Sequence, residues 1–355
     1  MSGSHNRRDF LTNWSVPDLE PEKLVRVPPV VGDTIRLETQ AMGCPWCVIL
    51  NPGPTSEVEA ASEAFAVAHQ LESQLTIYRA DSELMHLNRS VLFEEWFQVS
   101  PELFQLLQTC QQLHSDTDGA FDPVTRPLTA LWRDCRKAGR IPAADEVVHA
   151  LSWSGIQYAE FDAATSSIRF RLRGKGAPPL EIGFDLGAIG KGEGIDQVCA
   201  VLESRGVENY LVHGGYSSLK ARGQHAGQSG WPVGLKNPLF NNKRLATLMV
   251  TNEGFSCSGS NVQFFRHEGQ RYGHILDPRT GWPCDQLLSV TVLAPTAALA
   301  DALSTAFYVM GLDKAAAYCD DHPEVAAILI PFPHKSRELS PALCNLSEER
   351  LYFEG

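Results

Sequence analysis

The sequence lacks a long uninterrupted apolar segment. Its most apolar stretch, Leu287 to Leu312, contains Pro295 and Asp301, whereas a membrane-spanning helix needs about 20 consecutive apolar residues. We therefore expect no transmembrane helix. Arg7-Arg8-Asp9-Phe10-Leu11 is similar to the start of a twin-arginine export signal, but Thr12 to Glu22 is polar where such a signal needs an apolar segment.

A surplus of basic residues is also missing. The 355 residues include 42 acidic and 30 basic side chains, which gives a formal net charge of -12. Such a chain has no positive field to attract a phosphate backbone, so we do not expect a nucleic acid as partner. Apolar residues make up 43% and charged residues 20% of the chain, as is typical of folded, water-soluble proteins.

The cysteines do not form a regular disulfide pattern. There are nine of them at irregular spacing, and an odd number in a long chain favours reduced thiols and a cytoplasmic location. Cys44-Pro-Trp-Cys47 has the C-x-x-C spacing of a redox pair or half a zinc site. Because no second C-x-x-C exists, we favour two packed thiols.

The chain shows no internal repeat, and its length suggests one large domain or about two smaller ones. Residues 1–33 are polar and proline-rich and are predicted to be an N-terminal tail. We expect the domain to span residues 34–330 and a C-terminal extension to span 331–355. Helical and strand patterns are mixed without strict alternation, which favours an α+β fold with mixed, largely antiparallel sheets flanked by helices.

Three segments give clear predictions of local structure. Ser56-x-x-Glu59 has the pattern of a capping box at the start of a helix, and Ser100-Pro101 predicts a helix that runs to about His114. Ser167 to Arg173 alternates as a half-buried strand does. Leu299 to Met310 is predicted to be the last clear helix, because Gly311 follows it.

A glycine-rich loop, Asp185 to Gly194, is predicted to connect a strand to a helix. Glycines allow backbone N–H groups to approach an anion closely, and Lys191 adds a full positive charge at the helix N-terminus. The loop has neither the Walker A nor the dinucleotide-binding spacing. It therefore indicates either a phosphate site or a turn that needs glycine for close helix packing.

Asp301 and Thr305 lie four residues apart on the last predicted helix, away from its apolar face. A carboxylate and a hydroxyl pointing the same way are ligands of the kind that Mg²⁺ prefers. The alternative is that Asp301 only stabilises the helix N-terminus and that Thr305 is a surface residue. His274 precedes the turn at Asp277-Pro278 and could be a general base, a phosphate contact or a structural donor.

Taken together and in chain order, seven motifs resemble those of the FAD:protein FMN transferases, the ApbE family of flavin-attaching enzymes. The resemblance covers about Thr34 to Ala327. The motifs are Ala41-Met42-Gly43, Ile77-Tyr78-Arg79-x-Asp81-Ser82-Glu83, Gly119-Ala120-Phe121-Asp122-Pro123, Asp185 to Gly192, Val212-His213-Gly214-Gly215, His274 to Gly281 and Ala300 to Thr305.

The resemblance implies an α+β architecture related to the tunnelling fold, FAD bound in a cleft, and Mg²⁺ on the pyrophosphate. It also implies transfer of the FMN half of FAD to a Ser or Thr hydroxyl of an acceptor protein, with release of AMP. The implied metal ligands are the Ala188 carbonyl, the Asp301 carboxylate and the Thr305 hydroxyl. His274 would act at the acceptor hydroxyl, assisted by Lys191. The implied flavin-nucleotide contacts are Met42, Tyr78, Ala120, Phe121, Asp122, Asp185, Lys191 and Ile275.

Two segments depart from the family pattern. Cys44-Pro-Trp replaces a Thr-rich stretch, and Tyr216-Ser217-Ser218 replaces the G-D-[IL] that usually follows Gly-Gly. Two further functions stay open, because the same cradle can serve water as the nucleophile and because the departures could remove turnover. One is an FAD pyrophosphatase that releases FMN and AMP, and the other is a flavin-binding protein without turnover.

Overall fold

A computed structural model describes residues 32–172, 179, 181–240, 242–259, 264–333 and 339–353. Most of the predicted N-terminal tail lies outside these residues, so the domain boundaries stay a prediction. In the described part of the chain, no helix combines the length and apolar character that crossing a membrane requires.

Eight α-helices occur in the described residues. They are α1 (Thr55–Leu75), α2 (Glu83–Ser90), α3 (Pro101–Asp116), α4 (Arg126–Lys137), α5 (Ala144–Ser152), α6 (Gly190–Ser204), α7 (Ala297–Met310) and α8 (Leu312–Asp321). Short 3-10 turns cover Val91–Phe93, Ile156–Tyr158 and Glu348–Arg350.

The strands pair antiparallel throughout the described ranges. They are β1 (Ile35–Ala41), β2 (Cys44–Leu50), β3 (Phe97–Gln98), β4 (Ala159–Asp162), β5 (Ser167–Phe170), β6 (Tyr210–Gly214), β7 (Ser218–Arg222), β8 (Trp231–Lys236), β9 (Arg244–Val250), β10 (Glu253–Gly259), β11 (Phe264–His267), β12 (Gln270–Gly273), β13 (Leu287–Ala294), β14 (Ala326–Pro331), β15 (Ala342–Cys344) and β16 (Leu351–Phe353).

An eight-stranded sheet forms the centre of the protein, in the order β1-β2-β6-β7-β10-β13-β14-β15. Smaller sheets have the orders β16-β9-β8, β3-β5-β4 and β11-β12. Helices and antiparallel sheets in this arrangement confirm the predicted α+β class. Two of the C-terminal strands, β15 and β16, join the central sheet and the β8-β9 sheet respectively.

Both faces of the central sheet are covered. Because side chains alternate along a strand, neighbouring residues of β6 enter different hydrophobic cores. Val212 packs in the core formed with α1 and α6, which contains Ala64 and Val198. Leu211 packs in the core shared with the β8-β9 sheet, which contains Leu248.

The helix predictions were right in part, and the helix predicted to be the last is followed by α8. Helix α3 begins at Pro101, and the Ser100 hydroxyl accepts a hydrogen bond from the Leu103 N–H, as expected. The capping box at Ser56 was wrong: α1 begins at Thr55, Pro54 occupies the N-cap position, and no side chain caps it. The predicted strand ends at Phe170, and its last expected residue lies outside the described residues.

Helices α6 and α7 approach each other so closely that only glycine fits between them at one point. A Cβ on Gly192 would lie 2.3 Å from the Ala297 carbonyl oxygen and 2.5 Å from Ala298 Cα. Gly254 of β10 faces the same backbone from the sheet, since its Cβ would lie 2.4 Å from the Ala297 nitrogen. The start of α7 is therefore held between two glycines.

We expect Gly192→Ala to lower the free energy of unfolding by about 1–3 kcal/mol, because the added methyl group must displace helix backbone. Gly190→Ala is the matched control in the same helix. Its Cβ would meet only side-chain carbons, at 3.8 Å, so its stability should be unchanged or slightly higher. Urea unfolding of both variants measures the difference. Equal stabilities would contradict the close approach.

Candidate active site

Helix α7 is fixed at its N-terminus by residues other than Asp301. The Thr296 hydroxyl accepts from the Leu299 N–H (3.1 Å). The carboxylate of Asp196, from α6, accepts from the N–H groups of Ala297 (3.1 Å) and Ala298 (2.9 Å). Since these groups satisfy the helix start, Asp301 is not needed there.

Asp196 is itself neutralised by a partly buried lysine. Lys220 Nζ lies 2.7 Å from Asp196 Oδ1, and both side chains are largely buried. Burial alone would lower the pKa of Lys220, but the negative charge and hydrogen bond of Asp196 outweigh it and leave this pKa raised. The ion pair thus ties α6 and β7 to the start of α7.

Asp301 is buried and receives hydrogen bonds from three other elements. Its side chain is only 6% exposed. Lys191 Nζ lies 3.3 Å from Oδ2, and the Gly192 N–H donates to the same oxygen at 3.2 Å. The hydroxyls of Ser218 and Ser256 donate to Oδ1 at 2.8 and 3.0 Å. The structure therefore brings Lys191 and Asp301, two of the residues singled out in the sequence, into direct contact.

Thr305 lies one helical turn beyond Asp301 and joins a chain of hydroxyl groups. Ser258 Oγ is 3.5 Å from Thr305 Oγ1 and 2.9 Å from Ser304 Oγ. Ser304 Oγ is in turn 3.2 Å from Ser256 Oγ. Hydroxyl and carboxylate oxygens thus line this part of α7 and β10.

The glycine-rich loop is held by its own aspartate and by a neighbouring loop. Asp185 Oδ1 accepts from the Gly187 N–H at 3.0 Å. The Asp185 N–H donates to the Pro123 carbonyl at 2.6 Å. This bond connects the loop to the Gly119–Pro123 motif. Ala188, the implied carbonyl ligand, is half-buried in the turn just before α6.

Asp122 is engaged inside the protein. Its carboxylate accepts from the N–H groups of Val124 (2.7 Å) and Ile156 (3.1 Å). His114 Nδ1 lies 3.2 Å from Asp122 Oδ2. The hydrogen bond from His114 to Asp122 raises the pKa of His114 and outweighs the opposite effect of burial. Through these hydrogen bonds, the Asp122 carboxylate fixes the conformation of the loop that contains it.

The other implied nucleotide contacts differ in exposure. Three of them are buried, namely Ala120, Phe121 and Ile275. At these positions only the backbone or the edge of a side chain could contact a ligand. Met42 is half-buried at a positive φ of 51°. Tyr78 is 91% exposed.

His274 follows β12 directly and is exposed, at the start of the segment that ends at Gly281. The Cys284 N–H donates to the Ile275 carbonyl (3.0 Å), and Arg279 pairs with the Asp277 carboxylate (2.8 Å). These bonds fix the turn that follows His274. The role of His274 stays a prediction.

A cavity of about 630 Å³ lies between two of the motif segments. His114, Gly119 and Asp122 line one side of it, and Pro278 and Arg279 contribute another part. Its volume is within the usual range for small-molecule sites. Its lining residues do not include the Lys191–Asp301 pair, so it is a separate part of the site region.

The C-x-x-C segment lies within strand β2. Cys44 and Cys47 are three residues apart on one strand, so their side chains point to opposite faces of the sheet. A disulfide needs the two Cβ atoms within about 4.5 Å on facing sides. Both thiols are free, and burial raises the pKa of Cys47 to about 11. These facts agree with two packed thiols.

The residues fit a hard divalent cation. The donors expected from the sequence are all oxygens, namely a carboxylate, a hydroxyl and a carbonyl, which is the set that Mg²⁺ prefers. The Lys191 ammonium group lies beside the Asp301 carboxylate. The fold therefore already places one positive charge next to this carboxylate.

Sequence reasoning assigned no role to four residues near Asp301, namely Ser304, Ser218, Ser256 and Asp196. Ser304 is three residues from Asp301 on the same helix and could have been found by helical spacing. The other three come from β7, β10 and α6, and no local pattern connects them to α7.

The fold and site define an α+β protein in which a buried carboxylate and a lysine meet at a glycine-rich helix start. The ApbE family model matches residues 42–329. The FAD:protein FMN transferase of Haemophilus influenzae is 31% identical over 290 residues, which cover 79% of this chain and 82% of that protein. The chain therefore belongs to the ApbE family.

Other relatives and solved structures agree. The FAD:protein FMN transferase of Escherichia coli K12 is 31% identical over 286 residues, or 79% of each chain. The apo structure of the Pseudomonas stutzeri flavinyl transferase ApbE is similar with a TM-score of 0.74 and 26% identity, covering 93% of this chain and 100% of that one. The flavin transferase ApbE of Vibrio cholerae has the same TM-score at 25% identity, covering 88% and 97%.

We expect the His114–Asp122 pair to stabilise the protein more at low pH. Because the folded pKa of His114 is raised, its contribution is complete below about pH 6.5, the unfolded value, and is lost as the pH rises through the folded value. Replacement His114→Gln should therefore lower the free energy of unfolding more at about pH 6 than at about pH 9, by on the order of 1 kcal/mol. Urea unfolding at both values tests this. An equal effect at both would rule out the ion pair.

Proposed function

We propose that this protein is a flavin transferase that binds FAD, moves the FMN half to a Ser or Thr hydroxyl of an acceptor protein, and releases AMP. The observation that carries the proposal is the buried Asp301 carboxylate, paired with Lys191 at the N-terminus of α6. The names of the similar proteins, FAD:protein FMN transferase, support the same chemistry.

In the proposed reaction, the acceptor hydroxyl oxygen forms a bond to the phosphorus of the FMN half. The bond from that phosphorus to the bridging oxygen breaks, and AMP leaves with this oxygen. The hydroxyl proton goes to a base, for which His274 is the proposed residue. The reaction needs charge stabilisation on the pyrophosphate rather than a protein nucleophile.

The Ala188 carbonyl, the Asp301 carboxylate and the Thr305 hydroxyl are the proposed ligands of Mg²⁺. When bound, the cation would neutralise charge on the pyrophosphate and orient it. Lys191 supplies a second positive charge at the same place. The N-terminus of α6 adds the partial positive charge of the helix dipole, which favours an anion.

The flavin nucleotide is proposed to lie along the motif loops. The Asp185–Pro123 bond brings the glycine-rich loop beside the Gly119–Pro123 loop, and the 630 Å³ cavity opens next to the latter. The buried carboxylate of Asp122 holds that loop in shape. Tyr78 offers an exposed aromatic ring for stacking on a flavin or adenine.

We expect Asp301→Ala to reduce Mg²⁺-dependent AMP release from FAD by about 100-fold or more, because it removes the charged metal ligand. Asp313→Ala is the control, since it removes an exposed carboxylate from the neighbouring helix α8. The assay incubates protein, FAD and an acceptor domain with and without Mg²⁺, and separates FAD, FMN and AMP by chromatography. Circular dichroism confirms that both variants are folded.

Each product pattern has one meaning. AMP together with flavin covalently attached to the acceptor supports the transferase. AMP with free FMN, in the presence of acceptor, would identify an FAD pyrophosphatase instead. Bound FAD that stays intact would identify a flavin-binding protein, and full activity of Asp301→Ala would exclude the proposed metal site.

A further inference from the structure

We propose that Ser218 and Ser256 are positioning residues that hold Oδ1 of Asp301, so that Oδ2 is kept for the divalent cation. This inference rests on the proposed function, which assigns a cation to Asp301. It adds two residues to the site, from strands far from Asp301 in the sequence, and gives each oxygen of the carboxylate a different task.

The first oxygen accepts the two shortest hydrogen bonds of this carboxylate, and Lys191 Nζ lies farther from it, at 3.5 Å. Ser218 Oγ donates to Oδ1 at 2.8 Å and Ser256 Oγ at 3.0 Å. Both serines are 1% exposed, so water does not compete for these bonds. A carboxylate oxygen has two lone-pair directions, and the two hydroxyls fill both.

The second oxygen has longer and more exchangeable partners. The Gly192 N–H donates to Oδ2 at 3.2 Å and Lys191 Nζ lies at 3.3 Å. The lysine side chain is 25% exposed and flexible, so its ammonium group can move away while the two serines stay in place. The difference between the two oxygens makes Oδ2 the one that can accept a cation.

The central sheet places the two serines side by side. In the pairing of β7 with β10, Ser218 lies directly opposite Ser256, and both hydroxyls are directed at α7. Ser218 belongs to the Tyr216–Ser218 segment that departs from the family pattern. The departure therefore supplies a hydrogen-bond donor to the site.

Removing either hydroxyl would leave Oδ1 with an open lone pair inside the protein. The carboxylate could then rotate and bring Oδ1 closer to Lys191 Nζ, which now lies 3.5 Å away. Residues that orient a metal ligand typically change metal affinity by about 10- to 100-fold when they are replaced. The expected effect on cation affinity therefore comes in addition to a loss of stability, and the two are measured separately.

The test measures binding of Mn²⁺, as a spectroscopic substitute for Mg²⁺, by electron paramagnetic resonance in the full-length protein without FAD. Ser218→Ala and Ser256→Ala, made separately, should each raise the Kd by about 10-fold or more. Ser167→Ala is the matched control: this serine is also buried at the start of a strand, β5, but its hydroxyl bonds to Thr165. Its Kd should equal that of the wild type.

A wild-type Kd in the folded serine variants would overturn the inference. Thermal unfolding without metal shows which variants are folded, and either serine variant is sufficient for the decision. If the wild-type protein itself binds no Mn²⁺, the proposed metal chemistry fails, and the inference fails with it. Failure of the metal chemistry can be told apart from failure of the serine roles, because it is seen in the wild-type protein before any serine is replaced.

Discussion

The buried carboxylate of Asp301 is the interaction on which the site and its surroundings depend. Removing a charge from water costs several kcal/mol unless partners compensate it. Here the partners come from α6, β7 and β10, so the helix that carries Asp301 is fixed against another helix and two strands by one side chain. The packing that stabilises the fold and the geometry that serves the chemistry are therefore the same set of bonds.

Close helix packing makes these bonds possible. The Gly192 N–H reaches Asp301 because no side chain separates α6 from α7, where a Cβ would overlap the Ala297 carbonyl. The packing interpretation of the glycine-rich loop therefore holds at Gly192, which also offers its N–H to a carboxylate, whereas the phosphate interpretation stays a proposal. Gly187 is exposed in the turn beside Asp185, whose carboxylate accepts its N–H.

The sequence predicted the parts of the site that local patterns encode. Asp301 and Thr305 share a helix at a spacing of four, and Lys191 follows the glycines at a helix start. The bonds from Ser218, Ser256 and Asp196 to α7 span 83, 45 and at least 101 residues, so only the sheet topology brings them together. The wrong start of α1 has a similar cause, because it is set by the chain path through Pro54 and not by a capping side chain.

The Tyr216–Ser218 segment, which departs from the family pattern, contains one buried and one exposed side chain with different surroundings. Ser218 is buried and donates to Asp301, whereas Tyr216, two residues earlier in the turn, is 85% exposed with Lys236 Nζ 5.4 Å from its ring. The turn ends where β7 begins, so the inward hydroxyl is fixed by the sheet and the outward ring is not. The two ends of this segment therefore differ in freedom: the Ser218 hydroxyl is held by the sheet and by Asp301, whereas the Tyr216 ring is open to solvent.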